Sequence, residues 1–148
     1  MARRSELPFA VTPQVRDTCL CLHVQRAARA LARQFDEAFR PLGLTSGQFS
    51  LLMSLNRPVA AGIGEVAALL AMDRTTLTAA LKPLERDGLV AVTVDAGDRR
   101  SRRLTLTPAG RKLLAKAVPI WKREHAAVDR LLGAGRPDRL RTDLRKLT

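Results

Sequence analysis

Five polar residues lie close together in a segment of helical periodicity. They are Arg74, Thr75, Thr76, Thr78 and Lys82. The intervening Leu77, Leu81 and Leu84 recur at helical spacing, so the polar side chains are predicted on the opposite, exposed face of a helix. Guanidinium, hydroxyl and ammonium groups on one helix face can bind base edges and phosphates in the major groove of DNA.

The place of each side chain along this helix predicts its contact. Arg74 stands at the N-terminal end, which enters a groove most deeply, and its guanidinium is expected to bind a guanine edge through two hydrogen bonds. Thr75 and Thr78 are expected to bond to base edges or to pack a methyl group against thymine. Lys82 lies further along and is expected to meet a phosphate. The alternative is an ordinary solvated face, since every amphipathic helix has a polar side.

A second basic cluster lies between two segments with β-strand character. It is the sequence DAGDRRSRR, residues 95–103, with Arg99, Arg100, Arg102 and Arg103. β-Branched and apolar residues precede it, and alternating leucines follow it, which predicts a hairpin with all four arginines at its tip. Such a tip can enter a minor groove, whose negative potential attracts guanidinium groups. The alternative for a lone arginine-rich turn is again simple solvation.

Longer elements must position these two clusters. Apolar residues three and four apart predict one long amphipathic helix over residues 15–39 and a second that begins after Thr107. N-caps at Thr45 and Asp73 begin shorter helices between them, and Pro83 is expected to kink the helix that follows Asp73. The predicted fold is therefore mainly α with a small β-hairpin wing: a winged helix-turn-helix flanked by long helices.

The two long helices predict how the chain is divided. Residues 45–107 form the predicted winged helix-turn-helix, and residues 1–44 and 108–148 form a predicted helical dimerisation region. The terminal apolar stripes offer more surface than one small core can cover, and pairing two chains about a two-fold axis would bury it. His125 lies on the C-terminal stripe and is expected to be a hydrogen-bonded interface residue rather than a sensor.

The charge of the chain favours a polyanionic partner. The formal net charge is +12, and residues 111–148 alone carry 11 basic and 4 acidic side chains. An alternative function is therefore a non-specific architectural protein that binds nucleic acid through this basic C-terminal segment. No apolar run is long enough for a membrane span, so a cytoplasmic location and no membrane partner are expected.

Catalytic, metal and cofactor sites are not expected. The chain has two histidines far apart, no glycine-rich phosphate loop and no local signature of a nucleophilic triad, which argues against an enzyme. Cys19 and Cys21 are separated by one residue in a helical pattern. Side chains at that spacing point to different faces, so a disulfide between them is not expected.

Two stretches resemble one known family of regulators. MDRTTLTAALKPLERDGLV, residues 72–90, and GDRRSRRLTLTPAG, residues 97–110, look like the recognition helix and wing of MarR-type regulators, and LGLTSGQFSLL, residues 42–52, resembles the entry to their second helix. The resemblance implies a repressor that binds a palindromic operator in double-stranded DNA as a homodimer. It also implies that Arg100 enters the minor groove while Asp98 holds it. A cleft between the dimer and DNA-binding parts is implied to take a small aromatic or anionic ligand.

The resemblance also bears on the cysteines and on one turn. In relatives that sense organic hydroperoxides, a reactive cysteine lies on the first helix in the register of Cys21, so Cys21 and Cys19 become candidate redox residues. Those relatives steady the cysteine with tyrosines, and this chain has none. Glycine is common in the family where this chain has Ala71. A left-handed alanine costs ~1–2 kcal/mol, so a different turn conformation is expected there.

Overall fold

The computed structural model describes residues 7–148, so residues 1–6 of the predicted dimerisation region lie outside it. The helices of the described part are α1 (Val11–Thr18), α2 (Leu20–Phe39), α3 (Ser46–Ser54), α4 (Ile63–Leu69), α5 (Arg74–Arg86), α6 (Pro108–Leu132) and α7 (Arg136–Arg145). The strands are β1 (Ala61–Gly62), β2 (Val90–Val94) and β3 (Arg102–Leu106), and a 3-10 turn, Arg40–Leu42, follows α2. The predicted fold class, mainly helical with a small β wing, is confirmed.

The strands form one antiparallel sheet in the order β1–β3–β2. In the predicted hairpin Val90 pairs with Leu106 and Val94 with Arg102. The two-residue strand β1, which was not predicted from the sequence, pairs Ala61 with Leu104. A strand that short has no periodicity of its own, so only its pairing with β3 defines it.

The core lies where α3, α4 and α5 meet the sheet and the facing sides of α2 and α6. Its largest fully buried side chains are Phe39, Leu51, Leu52, Leu55, Val66, Leu77, Leu84 and Leu104. The three leucines predicted for the inner face of α5 are all buried. The polar face of α5 is exposed as a result, and the helix is fixed against the rest of the winged helix-turn-helix.

Local capping chemistry fixes the start of three helices as predicted. The amide of Gln48 donates to Thr45 Oγ1 at 3.1 Å while the Gln48 side chain accepts from the Thr45 amide at 3.1 Å, which is a capping box. Asp73 caps α5 by accepting from the Thr76 amide at 2.7 Å.

The cap of α6 also ties that helix to the sheet. Thr107 Oγ1 accepts from the Gly110 amide at 3.0 Å and donates to the Gly88 carbonyl at 2.6 Å. A side chain at position 110 would be impossible without backbone movement, because its Cβ would lie 2.1 Å from the Leu89 carbonyl oxygen. The first turn of α6 and the start of β2 are therefore packed backbone against backbone.

The prediction of one helix over residues 15–39 is wrong. The chain breaks at Cys19, which adopts an extended conformation with φ −70° and ψ 105°, so α1 and α2 are separate helices. Cys19 Sγ accepts from the Leu22 amide at 3.5 Å and so serves as the N-cap of α2. The apolar spacing continues across the break, and sulfur is a weak cap, so neither signal revealed the break in the sequence.

The expectation that the turn between α4 and α5 avoids a left-handed alanine is also wrong. Ala71 adopts the left-handed conformation with φ 51°. The turn is held by hydrogen bonds from the Met72 amide to the Ala67 carbonyl at 2.9 Å and from the Ala71 amide to the Ala68 carbonyl at 3.2 Å. Beyond this turn α5 runs through Pro83 to Arg86 as one helix, and the kink at Pro83 stays a prediction.

The terminal helices keep much of their apolar surface exposed in the single chain. Leu20 on α2 is 61% exposed, Leu131 on α6 is 84% exposed, and Leu140 and Leu144 on α7 are exposed as well. Only the inner side of these helices packs, for example where Gln34 donates to Glu124 at 3.3 Å between α2 and α6. In the described residues no helix is long and apolar enough to cross a membrane.

Candidate nucleic-acid interface

The polar residues of α5 predicted to read DNA share its exposed face, but two of them also build the helix. Arg74, Thr75, Thr76, Thr78 and Lys82 are all exposed. The Thr76 hydroxyl donates to the Asp73 carboxylate at 2.7 Å, and the Thr78 hydroxyl donates to the Arg74 carbonyl at 2.7 Å. In this arrangement each hydroxyl has already donated its hydrogen, so Thr76 and Thr78 can present to a base only an accepting hydroxyl oxygen or a methyl group.

Arg74 turns towards the wing. Its guanidinium lies against Gly64 in the first turn of α4, where a Cβ would come within 2.9 Å of Nη2 and 3.5 Å of Cζ. Together with the wing it lines a cleft of about 360 Å³ whose walls are Gly62, Ile63, Gly64, Arg74, Thr78, Arg100, Ser101, Arg102 and Arg103. The recognition helix and the wing thus share one basic concave surface.

The wing turn is built by two aspartates that accept backbone hydrogen bonds. Asp95 accepts from the Gly97 amide at 2.8 Å, and Asp98 accepts from the Arg100 amide at 2.9 Å and from the Ser101 hydroxyl at 2.8 Å. The Arg100 amide, followed by the Ser101 hydroxyl, holds the pKa of Asp98 below its usual range. Asp98 therefore restrains Arg100 through the backbone amide, whereas the family resemblance implied only that it holds the residue.

The four arginines of the wing occupy two different settings. Arg99 and Arg100 lie in the turn, whereas Arg102 and Arg103 belong to β3, so the prediction of four arginines at the tip is wrong. Strand pairing extends to Val94–Arg102, so Arg102 and Arg103 are part of the sheet. Arg102 Nη1 donates to the carbonyls of Arg99 and Ser101 at 3.1 and 3.4 Å.

Arg103 has a carboxylate partner within the wing. Its Nε donates to Asp95 at 2.5 Å, and this pair joins β3 to the start of the turn. The pKa of Asp95 lies below its usual range, first because of the Gly97 amide and then because of Arg103. This pair was not predicted from the sequence, because no register was assigned to the hairpin. In the structure Arg103 pairs with Thr93, and Asp95 lies two positions beyond Thr93 along the chain.

An aromatic cluster lies where the terminal helices meet the winged helix-turn-helix. Phe49 on α3 stacks on Phe39 with ring centroids 4.8 Å apart and on Trp121 of α6 at 6.4 Å, and Trp121 contacts His125 at 4.9 Å. With Phe35, Ser46 and Ser50 these residues line a cavity of about 170 Å³. A wider apolar cleft of about 520 Å³ continues past Phe49 and Trp121. The family resemblance implied a cleft between the dimer and DNA-binding parts, without its lining residues.

The two cysteines occupy unlike positions near the start of α2. Cys21 is exposed, and Gln25 donates to its sulfur at 3.1 Å, whereas Cys19 is half-buried as the cap of the helix. Both are free thiols. Because Cys19 is extended and not helical, the helical spacing used to argue against a disulfide does not apply to this pair.

A sequence model of the MarR family matches residues 44–101. The transcriptional activatory protein BadR of Rhodopseudomonas palustris is 38% identical over 62% of this chain, and the match spans about half, 54%, of that protein.

Two solved structures are similar over nearly the whole chain. The M. tuberculosis transcriptional regulator MosR in complex with DNA is 42% identical, with a TM-score of 0.79, over 87% of this chain and 92% of that one. The transcriptional repressor CouR bound to a 23-mer DNA duplex is 31% identical, with a TM-score of 0.79, over 97% and 99% of the two chains. All three relatives are named as transcriptional proteins, which agrees with the expectation that the chain is not an enzyme.

Proposed function

The chain belongs to the MarR family, and we propose that it is a sequence-specific DNA-binding transcriptional regulator that acts through α5 and the wing. The observation that carries the proposal is the basic cleft that α5 and the wing share, in which Arg74 and Arg100 face the same space. MosR and CouR are named as DNA-bound in their structures, and both share this fold over at least 87% of the chain. Recognition helix and wing would then occupy a major and a neighbouring minor groove.

We propose further that the chain binds DNA as a homodimer. The exposed leucines of α2, α6 and α7 supply an apolar surface that a second copy would cover. Two copies related by a two-fold axis present two recognition helices. The operator would then be a palindrome with half-sites roughly 10 base pairs apart.

The aromatic cluster is the proposed ligand site for release of the repressor from DNA. Its cavity is walled by aromatic rings with the hydroxyls of Ser46 and Ser50 and the imidazole of His125 at hand, which suits a small aromatic molecule with a polar or anionic group. CouR, named as a repressor, supports repression. BadR, named as an activatory protein, supports the opposite sign, and a reporter gene behind the operator decides between them.

Oxidation is the second candidate signal. Cys21 is exposed on the helix that carries the proposed dimer surface, and Cys19 lies two residues before it. Peroxide treatment that weakens operator binding of the wild type but not of Cys21→Ser would support it. An unchanged affinity after treatment would contradict it.

The main experiment is selection of operator DNA from random fragments followed by footprinting. The expected result is a palindromic footprint, with Arg100→Ala lowering operator affinity and weakening the preference for A·T-rich flanks while the half-site preference stays. Arg145→Ala, in the basic C-terminal segment, is the control and should change operator preference little. If no fragment is enriched above random duplex, or if Arg145→Ala lowers affinity as much as Arg100→Ala, the architectural alternative replaces this proposal.

A further inference from the structure

Gly64 and Arg74 fit together more closely than a side chain at position 64 would allow. Gly64 is the second residue of α4, and a Cβ there would lie 2.9 Å from Arg74 Nη2 and 3.7 Å from Nε. No real Cβ approaches an atom so closely without displacing it. The absence of a side chain on Gly64 therefore leaves the space in which the guanidinium of Arg74 lies.

The space that the Arg74 guanidinium occupies lies at the wall of the cleft that faces the wing. Of the arginines around it, Arg103 is paired with Asp95 at 2.5 Å, and the nine lining residues include no carboxylate. Arg102 donates to carbonyl groups of its own turn. Arg74 and Arg100 thus approach one concave volume from two elements, and among the lining residues no negative charge compensates theirs.

We propose that Gly64 is a positioning residue, and that Arg74, held back against it, forms a seat for one phosphate of the DNA backbone between recognition helix and wing, next to the minor groove proposed for Arg100. The proposal rests on the proposed function and changes the role of Arg74 from guanine reader to phosphate ligand. A guanidinium presents parallel N–H donors that match two phosphate oxygens. With Arg74 on a phosphate and Arg100 in the neighbouring minor groove, the two contacts would fix the angle between α5 and the wing on the duplex, while other residues of α5 read the bases.

The substitution Gly64→Ala tests the seat without altering any charged group. The added methyl meets only the far end of a flexible arginine, so the guanidinium moves out of the cleft while the helix stays in place. Alanine is also the stronger helix former, so the melting temperature is not expected to fall. Gly47→Ala is the matched control: Gly47 is likewise the second residue of a helix, and a Cβ there would have only Thr45 Oγ1 nearby, at 4.0 Å.

The measurement is affinity for a random duplex and for the selected operator across a series of salt concentrations. Gly64→Ala should weaken both affinities roughly tenfold and reduce the slope of log affinity against log salt by about 1, as the loss of one phosphate contact does. Gly47→Ala should change neither quantity. In an Arg74→Ala background Gly64→Ala should have no further effect, because the group that it displaces is gone.

Three results would overturn the seat. They are an unchanged salt slope in Gly64→Ala, an equal loss from Gly64→Ala with and without Arg74, and an Arg74→Ala variant that loses operator affinity but keeps random-duplex affinity. The last result would restore Arg74 as a base reader. A wild type that binds random duplex without preferring any operator refutes the proposed function alone, and a wild type that binds no duplex at low salt refutes both.

Discussion

The winged-helix half, residues 45–107, and the terminal helices differ in how far the single chain buries their apolar side chains. Leu51, Leu52 and Leu104 are at most 1% exposed within the single chain, so the winged-helix half has a finished core. Leu20 and Leu131 are 61% and 84% exposed, so the terminal helices carry apolar side chains that the single chain does not cover.

This difference separates two kinds of stability. Contacts in the finished core strengthen the chain at any concentration, because they form within one molecule. Contacts that the terminal helices would make with a second copy contribute only as far as the copies associate, so their effect depends on protein concentration. Substitutions in the two regions should therefore differ both in size and in how they respond to dilution.

The largest expected effect comes from the core. Leu52→Ala removes a fully buried side chain from α3 and should lower the free energy of unfolding by about 3 kcal/mol, through lost burial and the cavity left behind. Urea denaturation at two protein concentrations measures it, and the loss should be the same at both. Leu69→Ala, a 67% exposed leucine on the neighbouring helix, is the control and should cost less than about 0.5 kcal/mol. Equal losses of stability from the two variants would contradict a core in which Leu52 is fully buried and Leu69 is exposed.

A second variant tests the apolar surface that the terminal helices leave exposed. Leu140→Glu combined with Leu144→Glu puts two charges on the exposed stripe of α7. It should raise the dimer dissociation constant about 100-fold or more, since each charge buried in the interface costs about 1.4 kcal/mol or more, which is tenfold. Sedimentation should show a mass near that of one 16.2 kDa chain in place of twice that mass. Val59→Glu, an exposed apolar position of the winged-helix half, should leave the mass unchanged. A wild type that is already monomeric at micromolar concentration contradicts the proposed dimer.

A smaller effect is expected at the strained turn of the winged-helix half. Ala71→Gly relieves a left-handed alanine that costs ~1–2 kcal/mol, less the greater entropy that glycine loses on folding, so stability should rise by about 0.5–1 kcal/mol. Thermal unfolding measures the gain. Ala68→Gly, one turn earlier inside α4, is the matched control and should lower stability instead, by about 1 kcal/mol. A loss of stability in both variants would mean that the turn carries no such strain.

The smallest effect concerns pH and the cap of α5. Hydrogen bonds from the Thr76 amide first, and then from its hydroxyl, hold the pKa of Asp73 below its usual range. A carboxylate with a lowered folded pKa contributes stability above its unfolded pKa of about 3.9 and loses it as the pH falls through the lower folded value. Asp73→Asn keeps the cap but does not titrate. Its deficit against the wild type should therefore shrink below about pH 4, and a deficit that stays constant from pH 7 to pH 2 would contradict this account.

The sequence predicted those parts of the fold that are set by neighbours along the chain. The caps at Thr45, Asp73 and Thr107 depend on residues within three positions, and the inner face of α5 follows from leucine spacing alone. The break at Cys19 was not predicted, because the apolar periodicity runs across it. The left-handed Ala71 was not predicted, because the local preference of alanine does not include the hydrogen bonds from the Ala71 and Met72 amides that hold the turn.

The candidate site was predicted less completely than the fold, for a related reason. The exposed face of α5 and the hairpin of the wing are local patterns, and both are found where the sequence placed them, although two of the four arginines lie in β3 and not at the tip. Their shared cleft is not local: it depends on Gly64 and Arg74, ten positions apart, and on Arg103 meeting Asp95 across the hairpin. Which arginine keeps an uncompensated charge can be known only once those partners are placed.

The tight seam between α6 and the sheet makes that helix a lever. With Gly110 against the Leu89 carbonyl and Thr107 bonded to Gly88, the first turn of α6 cannot move without carrying the base of the wing. Trp121, in the aromatic cluster, lies about 20 Å further along the helix at 1.5 Å per residue. A tilt of about 5° around Trp121 shifts the first turn by roughly 2 Å, because the arm is about 20 Å long. Hydrogen bonds to DNA tolerate only a few tenths of an ångström, so a small rotation at the cluster becomes a lost contact at the wing.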